Sequence, residues 1–245
     1  MGLDIYAGPI TRYVLGDWLT IVQQAGQAGG LHVEVIRANE NPDAVRDPAV
    51  VSPAVQAWQD SLVRSLGASA GWEDSLDVDF ATDKPDWDGY GAVVLLAAFD
   101  ERPDLAAGTK TRSGLRRTTL PDVAPRNYAD SPAFEAARGT PKRYPTLLLG
   151  AEWCLPIADG PSVFQAPTPN GHQTTMGRVD NLLVELNDLN DRTIRLSPAD
   201  LAVARKTGPP PSGAPVKDVA PFGLSILLTL AEYASVRRVP WIMDY

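Results

Sequence analysis

The sequence predicts an α+β fold, in which four or five helices pack against a small mixed sheet within a single domain of residues 1–245. Three features support this prediction. Segments that alternate between apolar and polar residues are typical of strands, and segments with apolar residues at helical spacing are typical of amphipathic helices. A third kind of segment, residues 91–99, has no polar face and is expected to lie in the core. The hydrophobic content of 44% is ordinary for a globular protein.

Residues 86–99, with the sequence DWDGYGAVVLLAAF, are the stretch around which the chain is expected to fold. An apolar run of this kind is buried on all sides, either as a core helix or as an interior strand. Its alanines and leucines favour a helix, with Asp88 as the N-cap. Gly89 and Gly91 are expected to form a turn at its start, because glycine permits unusual dihedral angles and close backbone approach.

The N-terminal part of the chain is predicted to form a β-α-β unit. Residues 3–6 and residues 31–37 alternate between apolar and polar side chains, which is typical of half-buried strands. Between them, residues 11–15 are expected to be extended. Asp17 is expected to cap a helix that ends at Gly29.

The middle of the chain is predicted to contain one helix, one long irregular segment and one buried strand. Ser52 and Pro53 are typical of a helix start, and the apolar residues that follow predict a helix that ends at Gly67. Residues 101–143 carry an excess of arginine and lysine interrupted by prolines, which predicts an irregular excursion with one short helix near Phe134. Leucines 147–149 are expected to lie in a buried strand.

The C-terminal part is predicted to begin with a hairpin over residues 163–176, because the Asn170–Gly171 pair suits a tight turn. Leucines at helical spacing predict a helix over residues 180–190, and Ser197 is expected to cap another helix. Three further segments complete the chain. They are a flexible loop over residues 207–220, an apolar helix over residues 222–236, and an apolar tail, residues 241–245, that docks on the body.

Charge and cysteine content restrict the partners and the compartment. The formal net charge of −8 disfavours binding to nucleic acid and suits a basic protein partner. The only cysteine, Cys154, leaves no internal disulfide, so a reducing compartment is expected. Neither a signal peptide nor an apolar run of membrane-spanning length is recognisable, and we therefore predict a cytoplasmic protein with no membrane partner.

Residues 73–88 contain seven acidic residues and a single basic one, Lys84. Carboxylates clustered beside aromatic rings are typical of a charge-steered docking surface, although they also suit a solvated loop. A calcium loop is not supported, because placing Gly89 as its sixth residue puts Lys84 first and Leu95 twelfth. The basic residues of 101–143 are expected to bind phosphate, to be solvated, or to fold against this stretch. The residues expected to contact a basic partner are Asp77, Asp79, Asp83, Asp86, Trp87, Asp88 and Tyr90.

Two functions of different class are consistent with these features. The first is a non-enzymatic, acidic interaction protein of the immunity type, with which bacteria neutralise a basic toxin or effector. The second is a hydrolase-type enzyme that uses carboxylates, or a Cys154–His172 pair, in a cleft near the Gly89–Gly91 turn. Phosphate-binding, dinucleotide-binding, serine-hydrolase and zinc-protease motifs are absent from the sequence, so no cofactor and no metal site is predicted.

Overall fold

A computed structural model describes residues 2–32, 47–67, 71–105, 108–110, 116–118 and 124–245. Its strands are, in chain order, β1 (Asp4–Ala7), β2 (Ala81–Asp83), β3 (Gly108–Lys110), β4 (Arg116–Thr118), β5 (Trp153–Leu155), β6 (Val163–Pro167), β7 (Gln173–Arg178) and β8 (Trp241–Asp244). Six of them form one sheet in the order β2-β1-β8-β5-β7-β6. Within it, β5 and β7 are parallel and the other neighbouring strands are antiparallel. Strands β3 and β4 form a separate antiparallel pair.

Helices account for most of the remaining described residues. They are α1 (Ile10–Leu15), α2 (Ile21–Ala28), α3 (Pro48–Leu66), α4 (Asp86–Glu101), α5 (Pro132–Arg138), α6 (Pro145–Leu148), α7 (Val179–Arg192), α8 (Pro198–Thr207) and α9 (Val216–Arg237), with a 3-10 helix at Pro125–Asp130. Five of these helices have ten residues or more, and the others are short. The predicted α+β class with a mixed sheet is confirmed.

Both faces of the sheet are covered. In β1, Ile5 and Ala7 join the core beneath α4, α7 and α9, whereas Tyr6 joins a second core beneath α1 and α3. In β8, Met243 likewise joins the first core, whereas Ile242 joins the second. Successive side chains of a strand point to opposite faces, so a strand between two helical layers needs apolar residues at consecutive positions.

Helix α4 is the central helix of the first layer. It packs against α5, α6, α7, α9 and the 3-10 helix, and every residue from 89 to 99 is buried. This enclosure explains why the segment has no polar face, and it confirms the predicted core helix. Two predictions about its start were wrong. The helix begins at Asp86, so Asp88 lies in its first turn and does not cap it, and Gly89 and Gly91 are helical residues that form no turn.

The close backbone approach predicted for the two glycines of α4 is confirmed. A Cβ atom placed on Gly223 of α9 would lie 2.2 Å from the carbonyl oxygen of Gly89, and one on Gly91 would lie 2.0 Å from the carbonyl oxygen of Pro125. Such distances are shorter than any van der Waals contact, so these positions leave no room for a side chain. Close packing thus offsets the low helix propensity of glycine.

Helices near the N-terminus begin where distant or unexpected side chains cap them. Residues 11–15, predicted to be extended, lie in α1, because the Asp74 carboxylate accepts hydrogen bonds from the backbone N–H groups of Ile10 (2.6 Å) and Thr11 (2.8 Å). Helix α2 is capped by Thr20 and not by the predicted Asp17, because Thr20 and Gln23 form a capping box.

The third helix also begins earlier than predicted. Its N-cap is Asp47, whose carboxylate accepts a hydrogen bond from the N–H of Ala49 at 2.9 Å, and Pro53 therefore lies inside the helix instead of at its start. Its predicted end at Gly67 is confirmed, with φ of 64° at that residue. Most of the strand predicted over residues 31–37 lies outside the described part of the chain, because residues 33–46 are not described.

The C-terminal predictions are confirmed in outline. Strands β6 and β7 form the hairpin, and Gly171 in its turn has φ of 87°. The helices α7, α8 and α9 occupy the predicted segments, and Ser197 caps α8 in a capping box. The apolar tail does dock on the body, as the inner strand β8 between β1 and β5. The loop between α8 and α9 is shorter than predicted, because α9 already begins at Val216.

Two other segments differ from the sequence interpretation. The irregular excursion predicted for residues 101–143 contains the 3-10 helix, β3 and β4 besides α5, which is the short helix predicted near Phe134. Leucines 147 and 148, predicted to form a strand, lie in the short helix α6. Among the described helices, α9 alone is long and apolar enough to cross a membrane, but 67% of its most apolar window is buried within the fold, as in a core helix.

The close approach of α4 and α9 gives a stability prediction. We expect Gly223→Ala to lower the free energy of unfolding by about 2 kcal/mol or more, because the added methyl group must push the two helix backbones apart. Gly139→Ala is the matched control, since a Cβ atom there would lie no closer than 3.8 Å to its nearest neighbour. Urea denaturation of the three proteins would measure the difference, and equal stability of the two variants would contradict the packing described.

Candidate functional site

A groove of about 520 Å³ lies at the N-terminal end of α4. Its first wall is the start of α4, its second wall is the N-terminal half of α9, and the loop between α8 and α9 closes a third side. The 3-10 helix contributes the remaining residues. The lining consists of Pro85, Asp86, Trp87, Asp88, Gly89, Arg126, Asn127, Pro209, Pro210, Pro211, Ser212, Val219 and Phe222. The groove therefore forms where the Gly89–Gly223 contact brings two helix N-termini together.

Asp86 has an unusual backbone conformation at the wall of this groove. Its φ is 53°, in the left-handed region that few residues other than glycine adopt. Its carboxylate is 43% exposed and lies 3.7 Å from the ammonium group of Lys84. A negative charge in the first turn of a helix is favourable, because the N-terminus carries partial positive charge. The result is an accessible carboxylate held at the groove entrance.

Asp88, further into the groove, is paired with an arginine of the basic segment. The Nε atom of Arg126 donates to Oδ1 of Asp88 at 3.0 Å, and its Nη2 atom donates to Oδ2 at 2.5 Å. This hydrogen bonding lowers the pKa of Asp88. One of the three alternatives for the basic segment is thus observed at this position: Arg126 folds against the acidic stretch.

The two aromatic residues of the predicted surface have different environments. Trp87 is partly buried and lines the groove, and its ring lies 5.1 Å from the ring of Tyr245 between centroids. Tyr90 is only 4% exposed, between Trp87 and Tyr128. Burial raises the pKa of Tyr90 well above its ordinary value. Trp87 is accessible to a ligand in the groove, whereas Tyr90 supports the ring from behind.

The other predicted docking residues lie away from the groove. Asp83 is buried in β2, and both Nε and Nη2 of Arg205 lie 2.7 Å from its Oδ2 atom. Asp77 and Asp79 are exposed in the loop before β2, where the backbone oxygen of Asp79 accepts from the hydroxyl of Tyr233. Tyr233 follows the groove residue Phe222 by eleven residues of α9, or about 16 Å along the helix axis. The structure therefore brings Asp86, Trp87 and Asp88 together and places Asp77 and Asp79 elsewhere.

The structure does not bring Cys154 and His172 together. Cys154 lies in β5 opposite Gly177, has no exposed surface, and burial raises its pKa well above the ordinary value. His172 is exposed in the hairpin turn, five residues before Gly177, which is roughly 16 Å along an extended strand. A buried, protonated thiol at this distance from the imidazole is not activated by it.

Glu185 is a buried acid that the sequence interpretation did not single out. It lies in α7 with 4% of its surface exposed, and its carboxylate accepts hydrogen bonds from the N–H groups of Thr146 (2.9 Å) and Leu147 (3.1 Å) at the start of α6. Burial raises its pKa to about 7. The sequence did contain a signal, because Glu185 falls beside Leu186 on the apolar stripe of the helix. Arg126 had no comparable signal, since its partner is 38 residues away in sequence.

Within the described ranges, no group of three or more histidine, cysteine, aspartate or glutamate side chains is placed to hold a metal ion. Comparison of the chain with protein-family models, with curated proteins and with solved structures finds no match. The site is therefore interpreted from its own geometry: a surface groove lined by carboxylates, one arginine, a tryptophan and prolines.

Glu185 gives a prediction for the pH dependence of stability. Its folded pKa of about 7 lies above the ordinary value of 4.5, so its contribution to stability is fully present below pH 4.5 and is lost as the pH rises through 7. The free energy of unfolding should fall by about 3 kcal/mol over this range because of this one group. Glu185→Gln resembles the protonated acid and should flatten the profile. Urea denaturation between pH 5 and 8 measures it, and Glu232→Gln, at an exposed position of α9, should leave the slope unchanged.

Cys154 gives a second prediction, which concerns the reactivity of its thiol. The thiol has no exposed surface, so a thiol reagent should label the native protein far more slowly than the urea-unfolded protein. Absorbance of the released chromophore from an aromatic disulfide reagent follows both rates. Comparable rates in the two states at neutral pH would contradict the buried position of Cys154.

Proposed function

We propose that the protein is a non-enzymatic binding protein that recognises a basic protein partner, in the manner of an immunity protein that neutralises a basic toxin or effector. We further propose the bacterial cytoplasm as its setting. Asp86 and Trp87 support this function most directly, because an exposed carboxylate and an accessible indole stand side by side on the wall of one groove. A basic side chain can pair with the first and pack on the second.

The backbone of Asp86 adds to this support. Residues held in the left-handed region store roughly 1–3 kcal/mol of strain unless they are glycine, although aspartate tolerates that region better than most residues. A glycine at position 86 would adopt the same φ of 53° without strain. The favourable charge of Asp86 in the first turn of α4 and its pairing with Lys84 offset part of this strain, and the same conformation holds an exposed carboxylate at the groove.

The exposed acids outside the groove have a separate role in the proposal. Asp77 and Asp79 are exposed, and neither contributes its carboxylate to an ion pair among those found in the described residues. With a net charge of −8, such residues attract a basic partner over distances of about one Debye length, roughly 8–10 Å. They would speed encounter, whereas Trp87 would slow dissociation.

The proposal is tested with the basic protein that the tagged chain retains from its own cells. We expect Trp87→Ala to raise the dissociation rate of that complex by about 30-fold, which corresponds to about 2 kcal/mol for an interface anchor. Replacing Asp77 and Asp79 together by asparagine should lower the association rate and weaken its dependence on salt. Asp83 is left unchanged, because its loss would strand the Arg205 guanidinium. Surface plasmon resonance at several salt concentrations gives both rates.

Asp60→Asn serves as the matched control, because Asp60 is an exposed acid on α3, beneath the opposite face of the sheet. It should change neither rate. If Trp87→Ala and Asp86→Asn bind the partner with the same association and dissociation rates as the parent, the groove is not the docking site. The proposed function would then lose its main support.

A further inference from the structure

We propose that Asp86, Trp87 and Asp88 form a binding site for an arginine side chain of the partner, and that Arg126 of the chain itself occupies part of this site in the free protein. Binding would then exchange one guanidinium group for another on Asp88. This inference rests on the proposed function, since it names the chemical group that the groove recognises and the contact that must open.

Arg126 shows which kind of cation the groove accepts. Its Nε and Nη2 atoms each donate to a different oxygen of Asp88, at 3.0 Å and 2.5 Å. This fork-to-carboxylate geometry requires a planar guanidinium, because the ammonium group of lysine is a single point of charge and cannot span two oxygens in this way. The groove is thus already shaped for arginine in preference to lysine.

The internal pair is weak enough to be exchanged. The side chain of Arg126 is 56% exposed and that of Asp88 is 21% exposed, so water competes for both. Exposed ion pairs shift an equilibrium constant by about fivefold at most, and the forked geometry places this pair at the upper end of that range. The need to open this pair would therefore lower the affinity for an incoming arginine only by a small factor, which is still large enough to measure.

An incoming arginine can make contacts that Arg126 does not make. The carboxylate of Asp86 lies near enough to Arg126 to raise its pKa, behind the larger effect of the hydrogen bond to Asp88, but its nearest cation is Lys84 at 3.7 Å. Trp87, which lies between the two acids in sequence, lines the groove and offers an aromatic ring. A guanidinium that pairs with Asp88 and also approaches Asp86 or packs on this ring would gain contacts that Arg126 lacks.

The test uses a capped tri-arginine peptide and isothermal titration calorimetry at about 150 mM salt, where exposed charges are screened as in cells. We expect Arg126→Ala to bind the peptide about fivefold more tightly than the parent, because Asp88 is then free. Arg126→Lys should give a smaller increase, since its ammonium group still attracts Asp88 without forming the fork. A capped tri-lysine peptide should bind both proteins more weakly than tri-arginine does.

Arg102→Ala is the matched control, because Arg102 forms an equivalent pair at the other end of α4. Its Nε and Nη2 atoms donate to the two oxygens of Asp104 at 3.0 Å and 2.8 Å, also at the surface. The substitution changes the net charge by the same amount and leaves the groove intact. It should leave the affinity for tri-arginine unchanged. Tighter binding by Arg126→Ala alone would then come from the release of Asp88 and not from the added negative charge.

Asp88→Asn completes the test. It should weaken tri-arginine binding, and in its background Arg126→Ala should have no further effect, because the contact that Arg126 blocks is already lost. The inference is overturned if Arg126→Ala binds no more tightly than Arg102→Ala, if its gain persists with Asp88→Asn, or if no protein binds the peptide at millimolar concentration. A partner that binds independently of Asp86 and Trp87 would instead overturn the proposed function and leave the peptide result standing.

Discussion

The close approach of α4 and α9 at Gly89 and Gly223 is the contact on which the rest of the structure depends. With no side chain at either position, two helix backbones come within van der Waals distance, and α4 is enclosed by helices on all sides. Helix α9 in turn covers β1, β2 and β8, so its position relative to α4 fixes the helical layer on the sheet. A methyl group at this crossing would act on every element packed against either helix.

The groove is a consequence of the same contact. The crossing lies near the start of both helices, so the first turn of α4 and the first two turns of α9 diverge from it and leave a space between them. Asp86 and Trp87 lie there because they precede Gly89 by less than one turn of α4. The residues proposed to bind a partner are thus held on helices, which suits a docking site that needs a fixed geometry.

Many acidic side chains of this protein form hydrogen bonds or ion pairs within the fold, so its net negative charge is not all available to a partner. Asp74 caps α1, Asp83 holds Arg205, and Asp88 holds Arg126. Asp100 accepts from Arg192 and from the hydroxyl of Tyr144; burial opposes ionisation of its carboxyl, but these hydrogen bonds lower its pKa below the ordinary value. A count of acids along the chain therefore overstates the negative surface, and the proposed docking role rests on the few carboxylates that remain exposed.

The sequence by itself determined the elements whose cause is local. The apolar run of 91–99, the Asn170–Gly171 turn and the Ser197 cap each depend on neighbouring residues, so periodicity and turn chemistry predicted them. Tertiary structure decided the features whose cause lies far away in sequence: the cap of α1 by Asp74, the helical role of Gly89, and the Arg126–Asp88 pair. The candidate site is divided between the two kinds, because Asp86, Trp87 and Asp88 were singled out by the acidic and aromatic pattern of the sequence. Its residues lie near 86, 126, 210 and 222, and no local pattern could show that packing brings them to one groove.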